Sequence, residues 1–119
     1  MDIPFRDLNL VVICGRVASA PDLRHDDSGT RQLRMLVTLR GDRPRRRIDV
    51  LPVTVWDPED HLVDPGLPVG ARVMVAGMVQ RSLPEGPEGQ RSRLEVIGLH
   101  VAVHIPAGLD VDLATTVAG

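Results

Sequence analysis

Leu33, Met35, Val37 and Leu39 alternate with Arg34, Leu36, Thr38 and Arg40, the period-two pattern of a strand that buries one face. Asp49, Leu51, Val53 and Val55 alternate in the same way with Ile48, Val50, Pro52, Thr54 and Trp56. The GDRPRRR segment between them, residues 41–47, makes the pair a long β-hairpin with a basic tip. Ahead of the hairpin, residues 8–17 form an apolar run in which Gly15 predicts a bulge or sharp bend, since glycine accepts backbone angles that other residues resist. Cys14, inside that run, reads as a small buried hydrophobe. Beyond the hairpin, Asp57-Pro58-Glu59-Asp60 predicts a helix start, with Asp57 as N-cap and proline at the first helical position; Pro65, Gly66 and Pro68 stop that helix within about two turns. Residues 72–80 and 91–105 supply two further strands, separated by the turn-rich LPEGPEG of residues 83–89.

Five strands with a short helix between the third and fourth is the element order of an OB-fold, an all-β, five-stranded Greek-key barrel that takes oligonucleotides or oligosaccharides on one face. Seventeen valines, ten prolines and eleven glycines agree with strands separated by turns. The 119 residues suit one such domain, placed at residues 1–106, with 107–119 as a short flexible tail. Fold by itself does not name a ligand.

Charge distribution narrows the choice. The net charge of −2 argues against a general polyanion binder, yet all 14 basic residues are arginine and seven of them lie between Arg31 and Arg47 with Asp42 as the only acid. That stretch carries +6 and the remainder −8. A basic surface on an acidic body suits a protein that holds phosphates in one place and repels them elsewhere, although a solvated loop would show the same arginines. A single cysteine leaves no disulfide framework, and no apolar run approaches the roughly 20 residues that span a bilayer. The opening MDIPFRD carries acids where an export signal carries positive charge. The expected location is therefore the cytoplasm, with no membrane partner.

Catalysis is not expected. His100 and His104 share a strand face but stand about 13 Å apart at the usual rise, too far to hold one metal. Asp57, Glu59, Asp60 and His61 lie on a short turn where acids favourably meet a helix start. Neither a nucleophile elbow nor a phosphate-cradling glycine loop is present in the sequence, and no cofactor is expected.

The local motifs add a resemblance. Asn9-Leu10-Val11 followed by Gly15-Arg16-Val17, then Pro21-Asp22-Leu23-Arg24 and Ser28-Gly29, is similar in order and spacing to the first strand and following loop of the bacterial single-stranded DNA-binding proteins of the replication machinery. LPVGARVMVAG, residues 67–77, resembles that family's junction into the fourth strand, and Asp49-Val50 through Trp56 resembles its third. The likeness runs over roughly residues 8–105. It implies a protein of DNA replication, recombination or repair that stacks bases on aromatic rings, follows the phosphate backbone with a basic groove, and assembles as a homo-oligomer of two or four copies. Trp56 matches one stacking position, whereas Val50, Arg43 and Leu83 stand at or near three others. Base stacking is worth about 1–3 kcal/mol per base, so this pattern implies weaker, more charge-dependent binding in which arginine planes offset part of the loss. The family's acidic docking tail has no counterpart in Thr115-Thr116-Val117-Ala118-Gly119, so docking of repair enzymes through such a tail is not expected.

Single-stranded DNA, with RNA as a further polynucleotide, is the expected partner. The expected contacts are Trp56 for a base, Arg34, Thr38, Thr54 and Arg40 on the same sheet face, Arg43, Arg45, Arg46 and Arg47 at the hairpin tip, and Arg81, Arg91 and Arg93 flanking the loop between the last two strands. Trp56 also admits a reading as a plug of the barrel end or an interface residue. The chain as a whole admits a second reading as a protein-interaction or structural OB module that has lost most nucleic-acid binding.

Overall fold

Alternating sequences become a barrel here because each strand has one apolar face to bury and the sheet closes on itself to bury all of them. The computed structural model describes residues 7–82 and 92–104. The strands are β1 (Val11–Val17), β2 (Asp22–His25), β3 (Arg31–Gly41), β4 (Arg47–Trp56), β5 (Arg72–Ser82) and β6 (Arg93–His104). Their order is β1-β5-β6-β4-β3-β2, and an additional β1–β3 pairing closes five of them into a ring, with β2 flanking β3. All pairings are antiparallel except β4–β6, where Val53 and Thr54 run parallel to Val96 and Ile97. This is the all-β OB barrel that the element order predicts.

The interior is filled by inward-facing residues of every barrel strand, including Ile13, Val17, Met35, Val37, Val53, Val55, Val73, Val75 and Val96, with Leu62 and Leu67 closing over them from the β4–β5 connection. Valine dominates because a narrow barrel has room for compact β-branched side chains. Closure needs a close approach. A Cβ on Gly15 would collide with the Thr38 carbonyl oxygen and come within 2.8 Å of Leu39 and Val37 side-chain carbons. Ala18 N donates to Leu36 O at 2.8 Å, and Val17 N to Ala71 O at 2.9 Å, so the end of β1 is held by both neighbours. At the other end of β1, Asn9 imitates a strand residue: its side-chain amide donates to Val79 O at 2.7 Å and accepts from Val79 N at 2.8 Å.

Several local expectations need correction. Gly15 is not a bulge, since the β1–β5 register runs through it; the irregularity lies on β5 between Ala76 and Gly77. Cys14 is exposed, because Ile13 and Val17 take the inward positions and leave it on the outer face. Asp57 is not a helix N-cap: it has a positive φ of 48° and its N–H donates to Arg31 O at 2.9 Å, continuing the β3–β4 ladder. The predicted helix is reduced to an irregular turn at Leu62–Gly66, broken by extended backbone at Asp64 (φ −137°, ψ 110°) and with no side-chain cap. β2 was not legible in the hydrophobic pattern at all. The predicted tail at 107–119 and the loop at 83–89 lie outside the described residues.

β2 is held to β3 by turn chemistry. Asp26 Oδ1 accepts from Ser28 Oγ at 2.6 Å and from the backbone N–H groups of Ser28 and Thr30 at 2.9 Å each. These bonds, the Ser28 hydroxyl first, hold the Asp26 carboxyl below its ordinary value. A folded pKa below the unfolded one means that the contribution of Asp26 is complete above the unfolded value and is lost as pH falls through the folded one. Titrating the Ser28 and Thr30 amide resonances is therefore expected to show them moving together at a pH below the usual aspartate range. Asp26→Asn should abolish that step.

Candidate nucleic-acid interface

The outer face of the β3–β4 hairpin is built by register. Gln32 pairs with Trp56, Arg34 with Thr54, Leu36 with Pro52, Thr38 with Val50 and Arg40 with Ile48, so these ten side chains share one surface. Their out-of-phase neighbours on β3, Leu33, Met35 and Val37, are buried in the core. The alternation therefore forces the arginines outward, next to an apolar strip.

Trp56 is 47% exposed and is absent from the core cluster, so it does not plug the barrel. It ends β4 at a fixed point. The Asp57 N–H bond to Arg31 O follows it directly, and the Arg31 guanidinium donates to Pro58 O at 2.9 Å and reaches Asp60 at 3.3 Å. Arg31 is thus a positioning residue for the segment that carries the indole. The sequence offered no signal for this role beyond its place in the basic stretch.

Beside the hairpin lies a groove of about 260 Å³, bordered by β2, β3, β4 and β6. Its walls carry Arg24, Arg34, Arg93 and Asp22, and its floor Leu36, Pro52 and Thr54. Thr54 is only 2% exposed and its hydroxyl donates to Glu95 at 3.3 Å, so it supports the floor and does not reach outward. Asp22 is paired with Arg24 at 2.7 Å. Arg34 and Arg93 have no ion pair or side-chain hydrogen bond among the described residues. Two cationic groups around an apolar floor, with one acid neutralised and the other hydrogen-bonded, can take an anion next to a flat apolar ring.

The remaining expected residues divide. Arg40 shares the face of Trp56, and Arg43, Arg45 and Arg46 stand exposed at the hairpin tip. Arg47 is out of phase with Trp56 on β4, and its guanidinium donates to Asp49 at 2.8 and 3.0 Å, which engages it inside its own strand. Arg81 pairs with Leu94, one step out of phase with Arg93, and donates to the Ser92 hydroxyl. Arg91 lies outside the described residues. The structure thus brings together Trp56, Arg34, Thr38, Arg40, Thr54 and Arg93, and turns Arg47 and Arg81 to the other side.

Among the described residues, no group of three or more His, Cys, Asp or Glu is placed to hold a metal ion, and no helix is long and apolar enough to cross a membrane.

The model of the Single-strand binding protein family matches residues 8–103, most of the chain and all of its barrel but the last residue of β6. The chain belongs to that family. A solved structure described as a Plasmodium falciparum SSB complex with ssDNA superposes with a TM-score of 0.73 at 20% sequence identity, covering 87% of this chain and 100% of that one. At that identity the likeness establishes the shared barrel. No curated protein sequence matches significantly.

Proposed function

We propose that this member of the single-strand binding protein family binds single-stranded DNA without catalysing a reaction, stacking a base on Trp56 and following the backbone with Arg34, Arg93, Arg40 and the exposed Arg43, Arg45 and Arg46 of the hairpin tip. The observation that carries this reading is the half-exposed indole in register with arginines that have no carboxylate partner among the described residues. Stacking is tolerant of sequence because every base has a π-face, and guanidinium groups meet phosphate oxygens with paired donors. A duplex hides its base faces, so it offers this surface only phosphates. Thr54 acts as floor, and Arg47 and Arg81 serve as more distant sources of positive charge.

A role as an accessory protein of replication, recombination or repair in the cytoplasm, at the nucleoid, follows from that ligand. A homo-oligomer is part of the proposal: Leu8, Leu10 and Leu99 are exposed large apolar residues near one end of β1, of the kind that a second copy covers. Solution mass reads two or four copies directly.

Fluorescence anisotropy with an end-labelled oligothymidine of about 30 nucleotides and its duplex counterpart tests the ligand. Binding of the single strand at low salt, with the duplex bound at least tenfold more weakly, is the expected outcome. Equal affinity for the two would refute the preference for unpaired strands, and no binding would refute the assignment altogether and leave the protein-interaction module as the better reading.

A further inference from the structure

The face that carries Trp56 does not end at the hairpin. Val50 on β4 pairs with Thr38 on β3, Thr38 with Arg16 on β1, Arg16 with Arg72 on β5, and Arg72 with His104 on β6. One cross-strand row therefore runs from the hairpin around the closure of the barrel. Beside it, Cys14, Gly15, Arg16, Thr38, Arg40 and Arg72 line a hollow of about 250 Å³.

Three guanidinium groups border this hollow and no carboxylate does. Arg40 and Arg72 have no ion pair or side-chain hydrogen bond among the described residues. Arg16 spends one donor on Gly70 O at 3.2 Å, which steadies its arm and leaves the rest of its fork open. Like charges held together without a counter-charge repel one another, so the cluster is relieved by an anion. Its members spread over two strand spacings, about 10 Å from β3 to β5, which suits successive phosphates of a chain better than one small ion. The row is also continuous with the Trp56 face: from Gln32, the partner of Trp56, to Thr38 is six residues along β3, roughly 20 Å.

We propose that a single strand leaving the Trp56 face turns at Thr38 and crosses β1 and β5, its phosphates held by Arg40, Arg16 and Arg72. This rests on the function proposed above and extends it to two residues on strands outside the hairpin. It makes the bound length larger than the hairpin face alone accommodates, and it places the chain's single cysteine under the DNA.

The full-length protein tests this with two readouts. Arg72→Ser, at an exposed position with no structural bond among the described residues, is expected to leave affinity for an oligothymidine of about five nucleotides unchanged. For one of about 30 nucleotides it should weaken binding roughly fivefold and make the log-log salt slope shallower by about 0.7, one phosphate on a single strand. In the second readout, saturating 30-mer should slow the reaction of Cys14 with a maleimide, and neither the 5-mer nor inorganic phosphate should do so. The proposal is overturned if Arg72→Ser affects both lengths equally or neither, or if Cys14 reacts as fast with the 30-mer bound. Protection by inorganic phosphate alone would assign the hollow to a free anion, and a Cys14 already unreactive without DNA would assign it to a second copy; either also overturns it. Failure of the unmodified protein to bind any oligonucleotide would instead remove the proposed function, and this path with it.

Discussion

Trp56→Ala is expected to weaken oligothymidine binding by roughly 5- to 150-fold, the factor corresponding to the 1–3 kcal/mol of one base stacked on an aromatic ring. The effect is large because the indole stands alone: Val50 occupies the third outward position back along the strand, after Thr54 and Pro52, and it offers no flat π-surface to a second base. Trp56→Phe should retain part of the affinity, since a smaller ring still stacks. Thermal stability should change little with either substitution, because Trp56 is half-exposed and contributes nothing to the core cluster. Isothermal titration alongside a melting curve separates the two effects. A substitution that lowered stability sharply and affinity only in proportion would show the indole to be structural.

Gly77→Ala is expected to produce the largest loss of stability. The β5 register shifts at Ala76/Gly77, bringing the backbone of β6 against the bare Cα of Gly77. A Cβ there would collide with the Ile97 carbonyl oxygen and lie 2.9 Å from its carbon and 3.1 Å from Leu99 N. These are backbone atoms that no rotamer change can move, so β5 and β6 must separate. Overpacking of this kind costs about 1–3 kcal/mol, and the absence of any yielding side chain puts this site at the upper end. Chemical denaturation should show a midpoint shift of that size, with Tm lower by roughly 10 °C. Gly29→Ala is the useful contrast: open space surrounds its Cβ position, so only the strain of a φ of 89° is added.

The β3–β4 hairpin was readable in the amino-acid sequence because its outward positions are polar enough to set the phase of the alternation. That phase also placed Trp56, Arg34, Thr38 and Arg40 on one surface. β1 carries Val11, Val12, Ile13 and Cys14 in succession, so its pattern has no phase and cannot tell that Cys14 faces outward. β2 has one apolar residue, Leu23, in four, and exists because Asp26 closes the turn and β3 offers an edge. The burial of Thr54 depends on the parallel pairing with β6, some 40 residues away in the chain, and on the Glu95 carboxylate that this pairing delivers. The Arg47–Asp49 pair is local, and its i, i+2 spacing on one strand face was a signal that could have removed Arg47 from the DNA-facing set. Arg16 and Arg72 come together only when the barrel closes, which no local pattern announces.

The claim on which the functional account rests is that the indole and the arginines around it grip the same unpaired strand. Because the chain has one tryptophan, its emission reports that event with no label. Titration with an oligothymidine at two salt concentrations reads both parts of the grip at once. The account predicts emission quenched to saturation, with an affinity that falls by about 0.7 logarithmic units per phosphate held for each tenfold rise in salt. Emission unchanged at saturating, independently verified binding would contradict it, as would an affinity insensitive to salt.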